Sequence, residues 1–201
     1  MAIYLKTGRC EVKGMFFKPE MNLAIREDRK HATRRIEECL AEINKEPDKW
    51  RILMVGDVAH CWGMIPSDFT VVKPRYRVGG IVYVKEAWAT ENQYNHLKPR
   101  EIPRTAQIFY LSDGYYDPFI MGKRRSPLFM PEWSARIFPK ILEVKPQRLQ
   151  SMTEQEAKAE GFKADVFTSA KKNFAAYFEV LHPGSWERNE WVIVYKFEVI
   201  K

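Results

Sequence analysis

The chain has 201 residues, with 33 Lys+Arg against 26 Asp+Glu, a formal net charge of +7, 45% hydrophobic residues and 29% charged residues. That composition is ordinary for a soluble globular chain and excludes a disordered, collagen-like or disulfide-stapled protein. No apolar run approaches the ~20 residues that a bilayer-spanning helix needs.

The length predicts a single domain carrying insertions. The start, Met1-Ala2-Ile3-Tyr4-Leu5-Lys6, lacks the apolar core of a secretory signal, which predicts a cytoplasmic protein. Cys10, Cys39 and Cys61 are odd in number and show no paired spacing, so reduced thiols, no metal site and no cofactor are expected.

Residues 11–17 read as a strand. Pro19 suits the first turn of a helix and Glu20 complements its dipole; Met21, Ala24 and Ile25 then follow at helical spacing to about Asp28. A second helix is expected over 36–45, ended by Pro47, whereas 47–77 shows few periodic signals. Residues 81–87, after Gly79-Gly80, read as a strand. Residues 90–127 are polar and proline-punctuated and read as a long insertion. Residues 136–144 read as a strand, with Pro139 pointing to an edge or a bulge. Thr153-Glu154-Gln155-Glu156 is a capping box, Met152 can staple onto Ala157, and Gly161 sits where a helix-ending glycine belongs. Phe174, Tyr177, Phe178 and Leu181 form one helical stripe before Pro183-Gly184. The last strand, 191–200, sets Trp191, Ile193, Tyr195, Phe197 and Val199 on one face and Lys196 and Glu198 on the other, which predicts half burial. The sum is a β-rich α+β fold built on a small barrel with short flanking helices.

The positive charge is clustered in three places: residues 26–35, Lys73-Pro74-Arg75-Tyr76-Arg77, and Lys123-Arg124-Arg125. Cations near aromatic rings suit a polyanionic partner, since phosphates supply affinity and rings stack on bases. Solvated basic faces are the alternative for each cluster taken singly.

Within Arg29-Lys30-His31-Ala32-Thr33-Arg34-Arg35, an extended backbone would put Lys30 and Thr33 on opposite faces, whereas a turn would bring them together. Neighbouring cations lower a lysine's pKa. A lysine so lowered can serve as base to a threonine hydroxyl. A phosphate-binding loop or a solvated turn is the alternative for the same residues.

Several blocks occur in a fixed order: Arg29-Lys30-x-x-Thr33-Arg34-Arg35; Gly80-Ile81-Val82-Tyr83-Val84-Lys85-Glu86-Ala87-Trp88; and Met130-Pro131-Glu132-Trp133-Ser134-Ala135-Arg136. Leu149-Gln150-Ser151-Met152-Thr153 with Glu160-Gly161 follows, then Pro183-Gly184-Ser185-Trp186-Glu187 before Trp191-Val192-Ile193-Val194. Together these resemble the ASCH-domain family, most closely its larger phage- and prophage-encoded members. The resemblance covers about half the chain. It implies a PUA-like fold, association with RNA or a modified nucleoside (DNA being a further candidate), and no membrane. Smaller bacterial members remove the acetyl group from N4-acetylcytidine with a lysine and threonine of a K-x-x-T motif and a glutamate late in the T-E-x-x-A helix. Carried over by motif, these are Lys30, Thr33 and Glu160, with Arg35 as the arginine after the threonine. Glu160 lies at a helix end, where the dipole disfavours a carboxylate, a setting that suits a general acid.

The chain departs from that pattern at Asp28, where the family usually has glycine, at His31, where it has threonine, and in two insertions, about 36–77 and 90–127, that the small amidohydrolases lack. Asp28 is near enough in sequence to pair with Lys30 and blunt it as a base. Arg29, Arg34 and Arg35 are the candidate phosphate or substrate contacts, with Lys85, Trp133 and Arg136 from the later blocks. Arg136 has a structural pairing with Glu86 as its alternative role; Trp88 reads as core, and Trp133 and Trp186 as packing anchors or stacking platforms. Tyr115-Tyr116 with Lys123–Arg125 mixes rings and cations as single-strand binders do. The expected function is binding of a nucleobase or modified nucleoside in a basic cleft, with hydrolysis of an N4-acylcytidine. The alternatives are a non-catalytic RNA-binding module, a single-strand ribonuclease, and a phage assembly or host-interaction protein.

Overall fold

The computed structural model describes residues 12–65 and 67–200. Cys10, Glu11 and the start of the chain lie outside the described residues. Helix and strand are mixed, 28% and 29% respectively. In chain order the strands and α-helices are β1 (Lys13–Phe16), α1 (Pro19–Arg26), β2 (Ala32–Arg35), β3 (Arg51–Val55), β4 (Val58–Trp62), β5 (Phe69–Val72) and β6 (Val82–Lys85), followed by β7 (Trp88–Ala89), β8 (Phe109–Tyr110), β9 (Pro139–Arg148), α2 (Glu154–Ala159), α3 (Ala170–Leu181) and β10 (Trp191–Val199). They form small sheets, β1-β6, β2-β10-β9, β3-β4-β5 and β7-β8, and none of them closes into a barrel. The pairing is parallel in β1-β6 and antiparallel in the others.

The chain divides into two compact units. Of the described residues, one unit joins 12–17 with Ile81–Phe138, and the other joins Lys18–Gly80 with 139–200. In the first unit, β6 pairs with β1, and the Val84 amide donates to the Ile137 carbonyl. Ile102 and Ala106 of the 90–127 stretch pack with Trp88 and Met130, on either side of it in sequence, in a small core. Trp88 is thus core, as its place in the strand-forming block suggests.

In the second unit, β10 is the central strand. Residues 191–195 are all buried, which corrects the expectation of a half-buried strand. The reason is that α2 and α3 cover the face carrying Val192 and Val194, placing them with Leu149, Met152, Ala157, Phe174 and Phe178. From Lys196 the in-out alternation resumes. Pro139 is the first residue of β9, an edge strand, where the missing amide breaks no ladder. The strand runs to Arg148 rather than ending at 144.

Residues 36–45 form not a helix but two 3₁₀ turns, Glu38–Leu40 and Ile43–Lys45. The buried positions Leu40 and Ile43 are three apart, the period a 3₁₀ turn places on one line. Residues 47–77, unreadable by periodicity, supply the β3-β4-β5 sheet. The capping box forms as expected: the Glu156 amide donates to Thr153 Oγ1, and the Thr153 amide donates to Glu156 Oε2.

Asp28 follows α1 with φ of 58°, a left-handed conformation that glycine adopts without the Cβ clash. Asp28→Gly should raise stability by roughly 0.5–1 kcal/mol, the relief of that clash less the extra freedom of an unfolded glycine. Urea midpoints of the two proteins measure it, and a lower midpoint for the variant would refute it.

Candidate functional site

The turn after α1 delivers Lys30. The Arg29 and Lys30 amides both donate to the Ala24 carbonyl at 2.8 and 3.1 Å, and the His31 amide donates to Ala159 O at 2.7 Å, lacing the chain to the end of α2. Lys30 and Glu160 form an isolated antiparallel bridge. Gly161 completes it: φ is 93°, and an added Cβ would lie 3.3 Å from Lys30 Cβ and 3.2 Å from Ala24 Cβ. A larger residue there would push Lys30 away.

Lys30 Nζ donates to Glu160 Oε2 at 2.7 Å and to the Glu160 carbonyl at 2.9 Å. Arg34 Nη1 donates to Glu160 Oε1 at 3.2 Å. The Lys30 and Glu160 side chains are each 3% exposed and that of Arg34 is 0% exposed, so both cations and the carboxylate are out of water. Burial lowers the Lys30 pKa from its ordinary value; the charge and hydrogen bond of Glu160 oppose that, Arg35 and Arg34 add to it, and the balance is downward. Lys30 therefore yields its proton more readily than a solvated lysine.

Behind Arg34 lies a second layer. Its Nη2 donates to Gln147 Oε1 at 2.8 Å and meets Glu156 Oε2 at 3.0 Å, and Lys145 Nζ donates to Glu156 Oε1 at 2.9 Å. Burial raises the Glu156 carboxyl, but the Thr153 amide, Lys145, Gln147 and Arg34 outweigh it and hold it down to about 2.

Thr33 is buried in β2 opposite Tyr195. Residues 32–35 are extended, so Thr33 and Arg35 alternate with Ala32 and Arg34. Arg34, of the same parity as Lys30, is the one that converges with it on Glu160. Burial pushes the Arg35 guanidinium down, against the opposing charges of Tyr76, Glu160 and Glu37. Nearby, the Tyr195 hydroxyl donates to Glu37 Oε1 at 2.5 Å, and the Arg75 amide donates to Glu37 Oε2 at 2.9 Å. A cavity of about 450 Å³ opens beside this group, lined by Ile36, Glu37, Asn44, Lys45, His182 and Arg188 among others.

Asp28 stands 3.8 Å from His31 Nδ1 in solvent, whereas Lys30 meets Glu160. Arg29 lies half-buried, bonded to Glu27 and to the Gly161 carbonyl. Lys85, Trp133 and Arg136 belong to the other unit. Lys85 Nζ donates to Leu128 O at 2.9 Å. Trp133 packs on the Trp88 core. Arg136 grips the fully buried Glu86 with two hydrogen bonds of 2.9 Å, reaches Asp113 and Ser112, and lies 3.8 Å over the Tyr110 ring, which is the structural pairing named as its alternative role. Trp186 packs against Phe174. Arg124 lies over the Tyr116 ring, whereas Arg125 is buried and spent on the Leu97 and Tyr94 carbonyls.

Glu156, Gln147 and Lys145 were not singled out by the sequence. Glu156 was accounted for as a cap, yet a carboxylate accepts several bonds and its remaining capacity serves Arg34 and Lys145. Tyr177 also lies in the field of Glu160, its hydroxyl pushed up to about 12 chiefly by burial.

Among the described residues no group of three or more His, Cys, Asp or Glu is placed to hold a metal ion, and no helix is long and apolar enough to cross a membrane. Comparison with known proteins found no matching family model, no matching curated protein and no matching solved structure.

Proposed function

We propose that the Lys30–Glu160 pair is the reaction centre of an amidohydrolase acting on an N4-acylated cytosine, in an ASCH-like chain associated with RNA or a modified nucleoside. The observation that carries this reading is the buried lysine, with its pKa lowered, in contact with a buried carboxylate. A structural ion pair needs only opposite charges, whereas a base needs a lysine that gives up its proton more readily than a solvated one, the direction in which burial moves Lys30.

In the proposed reaction Lys30, having passed its proton to Glu160, takes the proton of a water as the water oxygen attacks the acyl carbon. The carbon–nitrogen bond then breaks, and the departing amine takes up a proton delivered through Glu160. With water as nucleophile the products are a carboxylic acid and cytosine.

Chromatography of N4-acetylcytidine and a small panel of N4-acylcytosines, incubated with wild type and with Lys30→Ala, tests the reading. Wild type should release the acyl group and the variant should lose at least a hundredfold in rate. Equal turnover by the variant, or none by wild type, would refute it. In the second case binding without catalysis takes its place.

A further inference from the structure

The β3-β4-β5 sheet presents two unlike faces. Ala59, Cys61 and Val72 point to the buried one. On the other, the register sets Arg51, Trp62 and Phe69 in one row and Leu53, His60 and Val71 in the next. Directly opposed residues share a face, so these six form one continuous surface. It is open to solvent: Trp62 is 41% exposed, Phe69 50% and Leu53 60%.

The three rings touch one another, with centroids 5.8 Å apart for His60–Trp62, 5.7 Å for His60–Phe69 and 5.9 Å for Trp62–Phe69. No carboxylate stands on this face of the strands. Arg51 stands in the aromatic row, and Lys73 follows directly on β5. Among the described residues neither Arg51 nor Lys73 takes part in a salt bridge. Exposed rings beside such cations supply both things an unpaired nucleic acid strand requires: π-faces for its bases and positive charge for its phosphates. A second copy of the chain would bring like charge against like, and a purely apolar partner would leave Arg51 buried without a counter-ion.

We infer that this sheet face binds single-stranded nucleic acid, with bases stacked on Trp62, Phe69 and His60 and phosphates on Arg51 and Lys73. The inference does not rest on the Lys30 reading, because it concerns an exposed sheet face in a separate part of the unit's sequence and a polymer rather than an acyl group.

The test is fluorescence anisotropy of the full chain with labelled oligo-uridine, oligo-thymidine and a duplex of equal length, over a range of salt. Wild type should bind the single strands at least tenfold tighter than the duplex; the two single-strand arms separate RNA from DNA. Trp62→Ala and Phe69→Ala, both exposed and so compatible with an intact fold, should each weaken binding by roughly five- to a hundredfold. Arg51→Ala should flatten the slope of log affinity against log salt by about one. Circular dichroism and sedimentation accompany each variant. Unchanged affinity in both ring variants, equal binding of duplex, or a wild-type dimer that Trp62→Ala dissociates without any oligonucleotide bound would each overturn the inference.

Discussion

Glu160→Ala should destabilise the protein by roughly 3–5 kcal/mol, the cost of leaving a buried charge without its partner. Lys30 and Arg34 both hydrogen-bond to this carboxylate, and their side chains are 3% and 0% exposed, so water cannot replace it. Arg34 keeps Gln147 and Glu156 in the variant, whereas Lys30 keeps only the residue-160 carbonyl of the two acceptors it has at Glu160. The double variant Lys30→Met/Glu160→Ala, which removes both members, should therefore recover part of the loss. Urea unfolding of wild type, both single variants and the double variant measures the coupling. A Glu160→Ala protein as stable as wild type would show that the pair exchanges freely with solvent and would remove the physical basis for a lysine of lowered pKa.

Glu156→Gln should produce a pH-dependent loss. In the folded protein the Glu156 carboxyl is held at about 2, down from its ordinary 4.5, and its side chain is 20% exposed. A carboxyl depressed on folding contributes stability that is fully present above its unfolded value and disappears as pH falls through the folded one. The window is thus from about 4.5 down to about 2. The shift corresponds to about 3 kcal/mol at neutral pH. Wild type and variant should differ by about that much at pH 7 and converge near pH 2, in urea midpoints taken at steps between. A difference that stays constant across the range would mean that the lost interactions are the neutral hydrogen bonds to Thr153 and Gln147 rather than charge.

Both expectations concern one chain of contacts, Lys30–Glu160–Arg34–Glu156–Lys145, which spans β2, β9 and the ends of α2. Its members combine two requirements: Lys30 must be dry for its proton to loosen, and Glu160 must be held still to meet it. Arg34 serves the second by occupying the other carboxylate oxygen, and Glu156 holds Arg34 in turn. The pair itself sits on a turn and a helix end, and the sheet steadies it through Arg34 and Gln147.

The elements most legible in the sequence are those whose cause is local. The Thr153–Glu156 box, the Gly161 helix end and the proline at the start of α1 each act within a turn of the residues that signal them. The apolar alternation of 191–199 likewise announces a strand. What it does not announce is that Val192 and Val194 are as buried as Ile193, because that depends on α2 and α3 folding across the sheet. Residues 47–77 show how periodicity fails: an exposed sheet face made of Leu53, Trp62, Phe69 and Val71 is as apolar as a core, so no in-out contrast marks the strands.

For the site, Lys30 and Glu160 were named from their motifs, and their contact bridges 130 positions of chain. Arg34 was read as a phosphate contact, since an arginine among cations looks solvated until an extended backbone turns it inward to two glutamates. By itself the sequence determined the local units and their signs of charge: caps, turns, strand content, the lysine amid arginines. The tertiary structure alone decided which charges meet and which lose water, because burial and pairing are set by segments far apart in the chain, and those two quantities govern how readily Lys30 gives up its proton.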